Sequence, residues 1–400
     1  MKAIHNRGTA LIAAGVVAFA SASFMSTSAV ALGKGPVDAS AQLLTPILDG
    51  TNTAPLNSDG VNNQQVADGW VKNGWYGTGL VYQVTYAPSG GLFNLTYHVT
   101  DKSGLPLVNQ PVILRLGKGY SSSTSMIQVD GRNTDQRGGK GAQYNALDQL
   151  DVTHNTDYFG NVTFGLQNID DPSVGVSKPK SFNDAPTISP DGLDDFHTQA
   201  LLAINGGYDI AGQFADHSVM TSIYYFKNSG ASSSVSATHP TIKLVTPVLN
   251  AANSISKSAN VRQAYAQSGS SIILAYKVTD DSGAAYPNAT VKLHVNTQTL
   301  TARSDVNGYV VFSIKDTHAK GESKPTSANA PVPSSGAVFS TITPEVSGPT
   351  ADVADSLELH FFGTPAVAAA KSSTISCVKG TTTVKVTGVN AACPKGYKKK

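Results

Sequence analysis

The chain contains an internal duplication, and this feature constrains its fold more than any other. Three segments occur twice in the same order: L-x-T-P at residues 43–46 and 244–247, L-x-Y-x-V-T-D-x-S-G at 95–104 and 274–283, and D-x-x-G-x-V-x-F at 157–164 and 305–312. Chance does not produce three matches in the same order along one chain. The sequence therefore predicts two related structural modules.

Each repeated segment has the pattern of a β-strand next to a tight turn. Leu95, Tyr97 and Val99 alternate with polar residues, so they point to one face of a predicted strand. The D-x-S-G that follows is typical of a turn, because Gly adopts positive φ and Asp binds its own backbone. Further strands are predicted near 112–116 and 291–295, with closing strands at 219–226 and 357–362. Strands at this spacing indicate β-sandwiches.

The order of these motifs resembles bacterial immunoglobulin-like domains of group 1 (Big-1), which occur as repeats in invasin- and intimin-like adhesins. The second module carries V-T-D-x-S-G, N-A-x-V-x-L and S-D-x-x-G-x-V-x-F within residues 270–317. The first module departs from the pattern through an insertion at 117–150. The resemblance implies an all-β chain of two tandem immunoglobulin-like β-sandwich modules that act as spacer or display units, and it carries no active site over.

The amino terminus has the features of a signal peptide. Lys2 and Arg7 precede an apolar run at 11–24 and an A-x-A site at 29–31. No later stretch approaches twenty apolar residues, so no membrane span is predicted. The Ser- and Gly-rich stretch at 229–234 predicts a flexible link at which the modules articulate. The predicted organisation is a signal peptide (1–31), module 1 (40–228, with the insertion 117–150), a linker (229–240), module 2 (241–364), a linker (365–375) and a basic tail (376–400).

The charge of the chain is unevenly distributed. The last thirty residues contain seven lysines and no acid, whereas the rest of the mature chain has 20 basic and 27 acidic residues, a net charge of −7. An acidic body argues against nucleic-acid binding, which requires a basic face. The tail is predicted to contact an anionic cell-wall polymer, which would make the protein secreted and associated with the cell wall.

The two cysteines, Cys377 and Cys393, both lie in the tail. In an exported chain, two cysteines at this spacing predict a disulfide. The segment, C-V-K-G followed by C-P-K-G-Y-K-K, also resembles a C-terminal element of exported actinobacterial proteins. The prediction is a small disulfide-closed tail.

Known catalytic and metal-binding motifs are absent from the sequence, which predicts a non-enzymatic protein without a cofactor. His98, His294 and His360 are predicted to face solvent. Calcium at a junction between modules is a further hypothesis, suggested by the acidic pairs at 170–171, 194–195 and 280–281.

The insertion is the strongest candidate for ligand contact, because it is polar, rich in Gly and located at the end of a sandwich. A glycan or another surface protein is the predicted partner, and a loop without a ligand is the alternative. The candidate contact residues are Trp70, Trp75, Tyr120, Asp130, Arg132, Asn133, Asp135 and Tyr144. The two tryptophans fit a buried core equally well.

Three functions are compatible with these features. The first is a structural or adhesive cell-surface protein that displays its immunoglobulin-like modules. The second is a carbohydrate-binding protein centred on the insertion or on Trp70 and Trp75. The third is a subunit of a surface layer or fibre, in which exposed strand edges pair between molecules.

Overall fold

The fold is that of a computed structural model. It describes residues 39–47, 68, 72, 81–117, 127–133, 150–173, 175, 197–204, 219–228, 237, 239–249, 254–256, 261–318, 320–323, 339–346, 355–364, 373–380, 382–388, 393 and 397–399. Twenty-two β-strands lie within those residues. No helix among them is long and apolar enough to cross a membrane. The predicted signal peptide lies outside them.

Module 1 is a sandwich of two five-stranded sheets. The strand order is β1-β3-β8-β5-β6 in one sheet and β2-β10-β9-β4-β7 in the other. The strands are β1 (Ser40–Thr45), β2 (Val81–Pro88), β3 (Leu92–Thr100), β4 (Pro111–Gly117), β5 (Ile127–Val129), β6 (Arg132–Asn133), β7 (Leu150–Asn155), β8 (Asn161–Asn168), β9 (His197–Ala203) and β10 (Val219–Phe226).

Module 2 is a second sandwich, with sheets of three and six strands. The orders are β11-β14-β17 and β12-β13-β19-β18-β15-β16. The strands are β11 (Thr241–Thr246), β12 (Ser254–Ser256), β13 (Val261–Gln267), β14 (Ser271–Thr279), β15 (Thr290–Val295), β16 (Gln298–Arg303), β17 (Tyr309–Lys315), β18 (Phe339–Val346) and β19 (Ser356–Phe362).

The predicted duplication is confirmed strand by strand. The order β1-β3-β8 corresponds to β11-β14-β17, and β2-β10-β9-β4-β7 corresponds to β13-β19-β18-β15-β16. In each module one pair of neighbouring strands is parallel, β2 with β10 in module 1 and β13 with β19 in module 2. Both L-x-T-P segments contain a cis proline, Pro46 and Pro247. The remaining strands, β5 and β6 in module 1 and β12 in module 2, are additions to this shared plan.

The repeated strands lie at the centre of each core, as the alternation predicts. Tyr97 in β3 and its equivalent Tyr276 in β14 are fully buried. The opposite faces of these strands differ from expectation, since Asn94 and Ile273 are only 8% and 7% exposed. An antiparallel sheet with one solvated side would leave such positions open to water. The outer faces of β3 and β14 are therefore covered as well.

The insertion contributes a small hairpin to module 1. Its residues 127–133 form β5 and β6, and β5 pairs with the end of β8 through Ile127 and Gln128. Ile127 and Val129 are buried and belong to the core of module 1. This part of the insertion is therefore an integral extension of the sheet.

The carboxyl-terminal tail is a three-stranded sheet closed by the predicted disulfide. Its strands β20 (Ser373–Lys379), β21 (Thr382–Gly388) and β22 (Lys398–Lys399) are ordered β21-β20-β22. Cys377 is bonded to Cys393 with a Cα–Cα distance of 5.6 Å. The first strand begins at Ser373, inside the predicted linker 365–375. The tail is a folded element rather than a loose extension.

The prediction that His360 faces solvent is wrong. His360 in β19 is fully buried, with Nδ1 2.9 Å from Oε1 of Glu322 and Nε2 2.6 Å from Oε1 of Glu358. It also stacks on Phe339, with ring centroids 5.2 Å apart. The position alternates with buried leucines in the sequence and therefore resembles a surface position, but the chain around Glu322 covers this face of the strand.

Candidate functional surfaces

Asp130, a predicted contact residue, is at the tip of the β5–β6 hairpin. Asp130 and Gly131 have φ values of 51° and 72°, which is the pattern of a two-residue turn whose twist matches the flanking strands. Oδ2 of Asp130 is 2.9 Å from Nε2 of His154 in β7. This bond ties the hairpin, which extends one sheet, to the edge strand of the other sheet.

His154 is held so that both of its ring nitrogens face hydrogen-bond acceptors. Nδ1 is 2.7 Å from the carbonyl oxygen of Thr163, and Nε2 faces the carboxylate of Asp130. The imidazole also stacks on Phe164 at 4.6 Å. The hydrogen bond from His154 holds the pKa of Asp130 below its usual range.

Arginines complete a polar edge beside this pair. Arg115 donates two hydrogen bonds to the carboxylate of Asp151, at 2.6 and 2.7 Å. Arg132 donates from Nη2 to the carbonyl oxygen of Asp151 at 3.1 Å. We call Arg115, Asp130, Arg132, Asp151 and His154 the hairpin edge. It presents fixed donors and acceptors near exposed carboxylates, an arrangement suited to a hydroxyl-rich ligand.

The structure places only some of the other predicted contact residues. Asn133 is in β6, where its backbone pairs with Gln128. The remaining predicted contacts lie outside the described residues: Trp70, Trp75, Tyr120, Asp135 and Tyr144.

The described acidic residues that suggested calcium accept hydrogen bonds from backbone N–H groups. Oδ1 of Asp280 accepts from the backbone N–H groups of Ser282 and Ala284. Asp281 accepts from the backbone N–H of His239 at 2.6 Å. Asp171 similarly accepts from Ser173. Among the described residues no group of three His, Cys, Asp or Glu side chains could hold a metal ion, and the pair 194–195 lies outside them.

The larger surface, which the sequence did not reveal, is the contact between the two modules. Its first half is the turn between β7 and β8. Oδ1 of Asp157 accepts from the backbone N–H groups of Phe159 and Asn161, which are in its own turn. Oδ2 accepts at 2.7 Å from the backbone N–H of Ile273 in β14 of module 2. One oxygen therefore shapes the turn, and the other binds the opposite module.

The second half repeats this geometry with the modules exchanged. Oδ1 of Asp305 accepts from the backbone N–H groups of Asn307 and Tyr309, both at 2.9 Å. Oδ2 accepts at 2.8 Å from the backbone N–H of Asn94 in β3 of module 1. Asp305 is the duplicate of Asp157, and Asn94 is the duplicate of Ile273. The contact therefore has the two-fold character of a symmetric dimer within one chain.

Backbone and apolar contacts follow the same symmetry. Tyr158 N–H donates to the carbonyl oxygen of Ser271, and Val306 N–H donates to that of Leu92, both at 3.1 Å. Phe159 of module 1 belongs to the buried core of module 2, and Val306 of module 2 packs on the core of module 1. We call the turns at 157–160 and 305–308, together with the first residues of β3 and β14 that they contact, the module clasp.

The module clasp contradicts the expectation that the modules articulate. Each turn inserts into the other module and buries polar backbone groups and apolar side chains there. Movement at the linker would break both sets of contacts and expose these groups to water. The two modules therefore form one unit.

Burial at the module clasp shifts the titration of both aspartates. Burial raises the pKa of Asp157 to about 7, although the backbone N–H donors act in the opposite direction. It raises the pKa of Asp305 to about 6 for the same reason. Removing a carboxylate from water disfavours its charged form. The sequence offered one signal for the module clasp, namely that a polar residue, Asn94, interrupts a largely apolar strand.

The tail presents a third surface, which is basic. Lys398 and Lys399 of β22 pair with Val378 and Cys377, and both lysines are exposed. Nζ of Lys379 is 6.0 Å from the ring centroid of Tyr397. The disulfide and the sheet fix these cations on a folded element.

The fold and these surfaces define an all-β protein of two immunoglobulin-like sandwich modules with a disulfide-closed tail. No family model and no curated protein matches the chain. The solved structures to which it is similar include invasin, a bacterial integrin-binding protein, with 14% identity and a TM-score of 0.19 over 78% of this chain and 44% of that one. They also include a 1.5-MDa bacterial ice-binding adhesin, with 14% identity and a TM-score of 0.16 over 76% of this chain and 79% of that one. The Escherichia coli adhesin FdeC has 10% identity and a TM-score of 0.20 over 90% of this chain and 74% of that one. The chain spans less than half the length of the invasin structure.

Proposed function

We propose that this is an exported, non-enzymatic structural and adhesive protein of the cell surface. The observation that carries the proposal is the module clasp, which joins two sandwiches into one stiff unit. A stiff unit presents the loops at its ends at a defined distance from the surface that holds it. The hairpin edge is then displayed for contact, and the tail is available for attachment.

The basic tail supports a location at the cell wall. Lys379, Lys398 and Lys399 are exposed on a sheet that the Cys377–Cys393 bond closes, so these positive charges are concentrated on a folded element. Clustered cations attract anionic polymers, and the attraction weakens as salt is added. An anionic cell-wall polymer is the partner that we propose for this surface.

Fractionation of producing cells tests the proposal. The full chain should remain with the wall, and a chain truncated after Thr364 should be released into the medium. A matched variant carrying Lys379→Gln, Lys398→Gln and Lys399→Gln keeps the disulfide but loses the exposed charge. It should also be released, whereas high salt should release the unaltered protein. Release of all forms at low salt would contradict wall attachment.

Glycan binding at the hairpin edge is the second candidate, and the observation that favours it is the fixed arrangement of Asp130, Arg132 and His154. A screen of the full chain against immobilised glycans should identify a ligand whose binding weakens in an Arg132→Ala variant. Arg262→Ala, an exposed arginine on module 2 that pairs with Asp355, is the matched control and should bind normally. Equal binding by both variants would exclude the hairpin edge as the site.

A further inference from the structure

We propose that the module clasp is also a docking surface for a second copy of this chain, with module 1 of one molecule seated on module 2 of another. This would join molecules into exchanged pairs or longer chains. The inference goes beyond display at the cell surface and is tested in solution, so its failure would leave the fractionation result unaffected.

Each module carries both halves of the contact. Module 1 supplies a turn, through Asp157, and a receiving strand start, through the backbone N–H of Asn94. Module 2 supplies the same two elements through Asp305 and Ile273. Because the halves are complementary, module 1 of one molecule can form the same contacts with module 2 of another molecule. Domain exchange is the low-cost route to association in such a case, since it needs no new contact.

An open chain would have a strong tendency to find a substitute partner. Separating the modules exposes Phe159 and Val306, which are apolar side chains at the contact, and the backbone N–H of Ile273. It also leaves the backbone groups of Leu92 and Ser271 without their partners. Exposed apolar surface of this kind favours association. A second molecule offers the same surface that the first has lost.

The connection between the modules sets how often exchange occurs. The connection between β10 and β11 is held at both ends, since Asn228 N–H donates to the carbonyl oxygen of Pro172 and His239 N–H donates to the carboxylate of Asp281. The residues between these two points are 229–238, and a fully extended segment of that length reaches at most about 35 Å. A Gly- and Ser-rich link of that length has an end-to-end distance of about 17 Å, which would give the tethered module an effective concentration in the millimolar range. Pairing within one chain therefore dominates in dilute solution. Exchange becomes competitive in a dense surface layer, or when the link is too short.

Shortening the connection between the modules distinguishes exchange from other forms of association, because only exchange depends on the length of this connection. Deleting residues 230–234 removes Gly-Ala-Ser-Ser-Ser from the connection and leaves both modules intact. The shortened chain should form dimers and larger species in size-exclusion chromatography with light scattering, with the circular dichroism of the unaltered protein. A chain with five residues inserted at the same place is the control and should remain monomeric.

A block at the module clasp tests whether the association uses this surface. A Cβ atom at Gly91 would be 2.3 Å from Cγ1 of Val306, so Gly91→Leu prevents docking in either arrangement. The shortened chain carrying Gly91→Leu should be monomeric. Dimers that persist in that variant, or a shortened chain that stays monomeric at every concentration, would overturn the proposal.

A second measurement uses chains of natural length. Donor-labelled and acceptor-labelled molecules are unfolded and then refolded together at about 1 mM, near the effective concentration of the link. Energy transfer should appear, and it should be absent when the two populations are refolded separately and mixed when dilute. Absence of transfer after joint refolding would refute exchange independently of the deletion.

Discussion

Gly91 and Val306 offer a direct test of the contact between the modules, because they are 215 positions apart in the sequence and touch only if the modules pair as described. An Ala side chain at position 91 would place its Cβ 2.3 Å from Cγ1 of Val306 and 3.1 Å from the carbonyl oxygen of Pro88. Val306 has little room to move away, since β-branched side chains are stiff at χ1 and this one packs on the core of module 1. We expect Gly91→Ala to destabilise the protein.

The magnitude follows from overpacking. Inserting a methyl group into a filled contact costs about 1–3 kcal/mol, and replacing Gly by Ala recovers about 0.4–1 kcal/mol by restricting the unfolded chain. The net loss for Gly91→Ala is then about 1–2 kcal/mol. Val306→Ala removes two methyl groups from a partly buried site and should cost about 1 kcal/mol.

The double variant provides the decisive comparison. Val306→Ala removes the atom that the new methyl group meets, so Gly91→Ala should cost little in that background, and the coupling free energy should be about 1–2 kcal/mol. Equilibrium denaturation by urea, followed by circular dichroism, measures all four proteins. Distant residues are additive within about 0.3–0.5 kcal/mol. Additivity of the two substitutions would refute the module clasp, whatever the cost of each alone.

Three further predictions follow from the titratable groups and the disulfide. The pKa values of Asp157 and Asp305 are raised to about 7 and about 6 from an unfolded value of about 3.9, so the folded state binds protons more tightly and the free energy of unfolding should fall as pH rises from about 4 to about 7. Changing both residues to Asn should flatten this pH profile in urea titrations, and an unchanged slope would assign the pH dependence to other groups. Asp130 behaves in the opposite sense, because its pKa is lowered: its contribution is fully present above the unfolded value and is lost as pH falls through the folded value. Asp130→Asn should therefore reduce stability most at pH 7 and progressively less as the solution is acidified, and a loss that does not change with pH would rule out the ionic contribution. Replacing Cys377 and Cys393 by Ser should destabilise the tail by about 3 kcal/mol in the chain-entropy model, which would appear as rapid amide hydrogen exchange and proteolysis in β20 while the two modules stay protected from both. A tail that also stays protected would show that its sheet is stable without the disulfide.

The hairpin edge combines residues that the sequence singles out with one that it does not. Asp130 and Arg132 were predicted contacts because they lie in a polar insertion, and the structure places both at one exposed edge. His154 was not predicted, because it belongs to a strand that is separated from the hairpin in the sequence. Its role depends on the turn at Asp130, which directs a carboxylate across the edge of the sandwich.

The sequence by itself determined the features that depend on neighbouring residues. The alternation of Leu95, Tyr97 and Val99 defines a strand with one apolar face, and the D-x-S-G residues that form the following turn lie next to one another in the sequence. The duplication then transfers each strand to the second module, and the spacing of Cys377 and Cys393 in an exported chain indicates their bond. These signals are local, so they are legible without knowledge of the rest of the molecule.

Only the tertiary structure decided how the modules pair. Most of the groups that Asp157 and Asp305 bind across the contact are backbone N–H groups, which every residue except proline possesses and which leave no pattern in a sequence. The exception is the side-chain amide of Asn94, whose Nδ2 is 3.2 Å from Oδ2 of Asp305. The same carboxylates also accept hydrogen bonds within their own turns, so the presence of Asp at both positions has a local explanation and does not indicate a second partner. The contact depends on where two strand starts lie in space, and that position is fixed only when both sandwiches have formed.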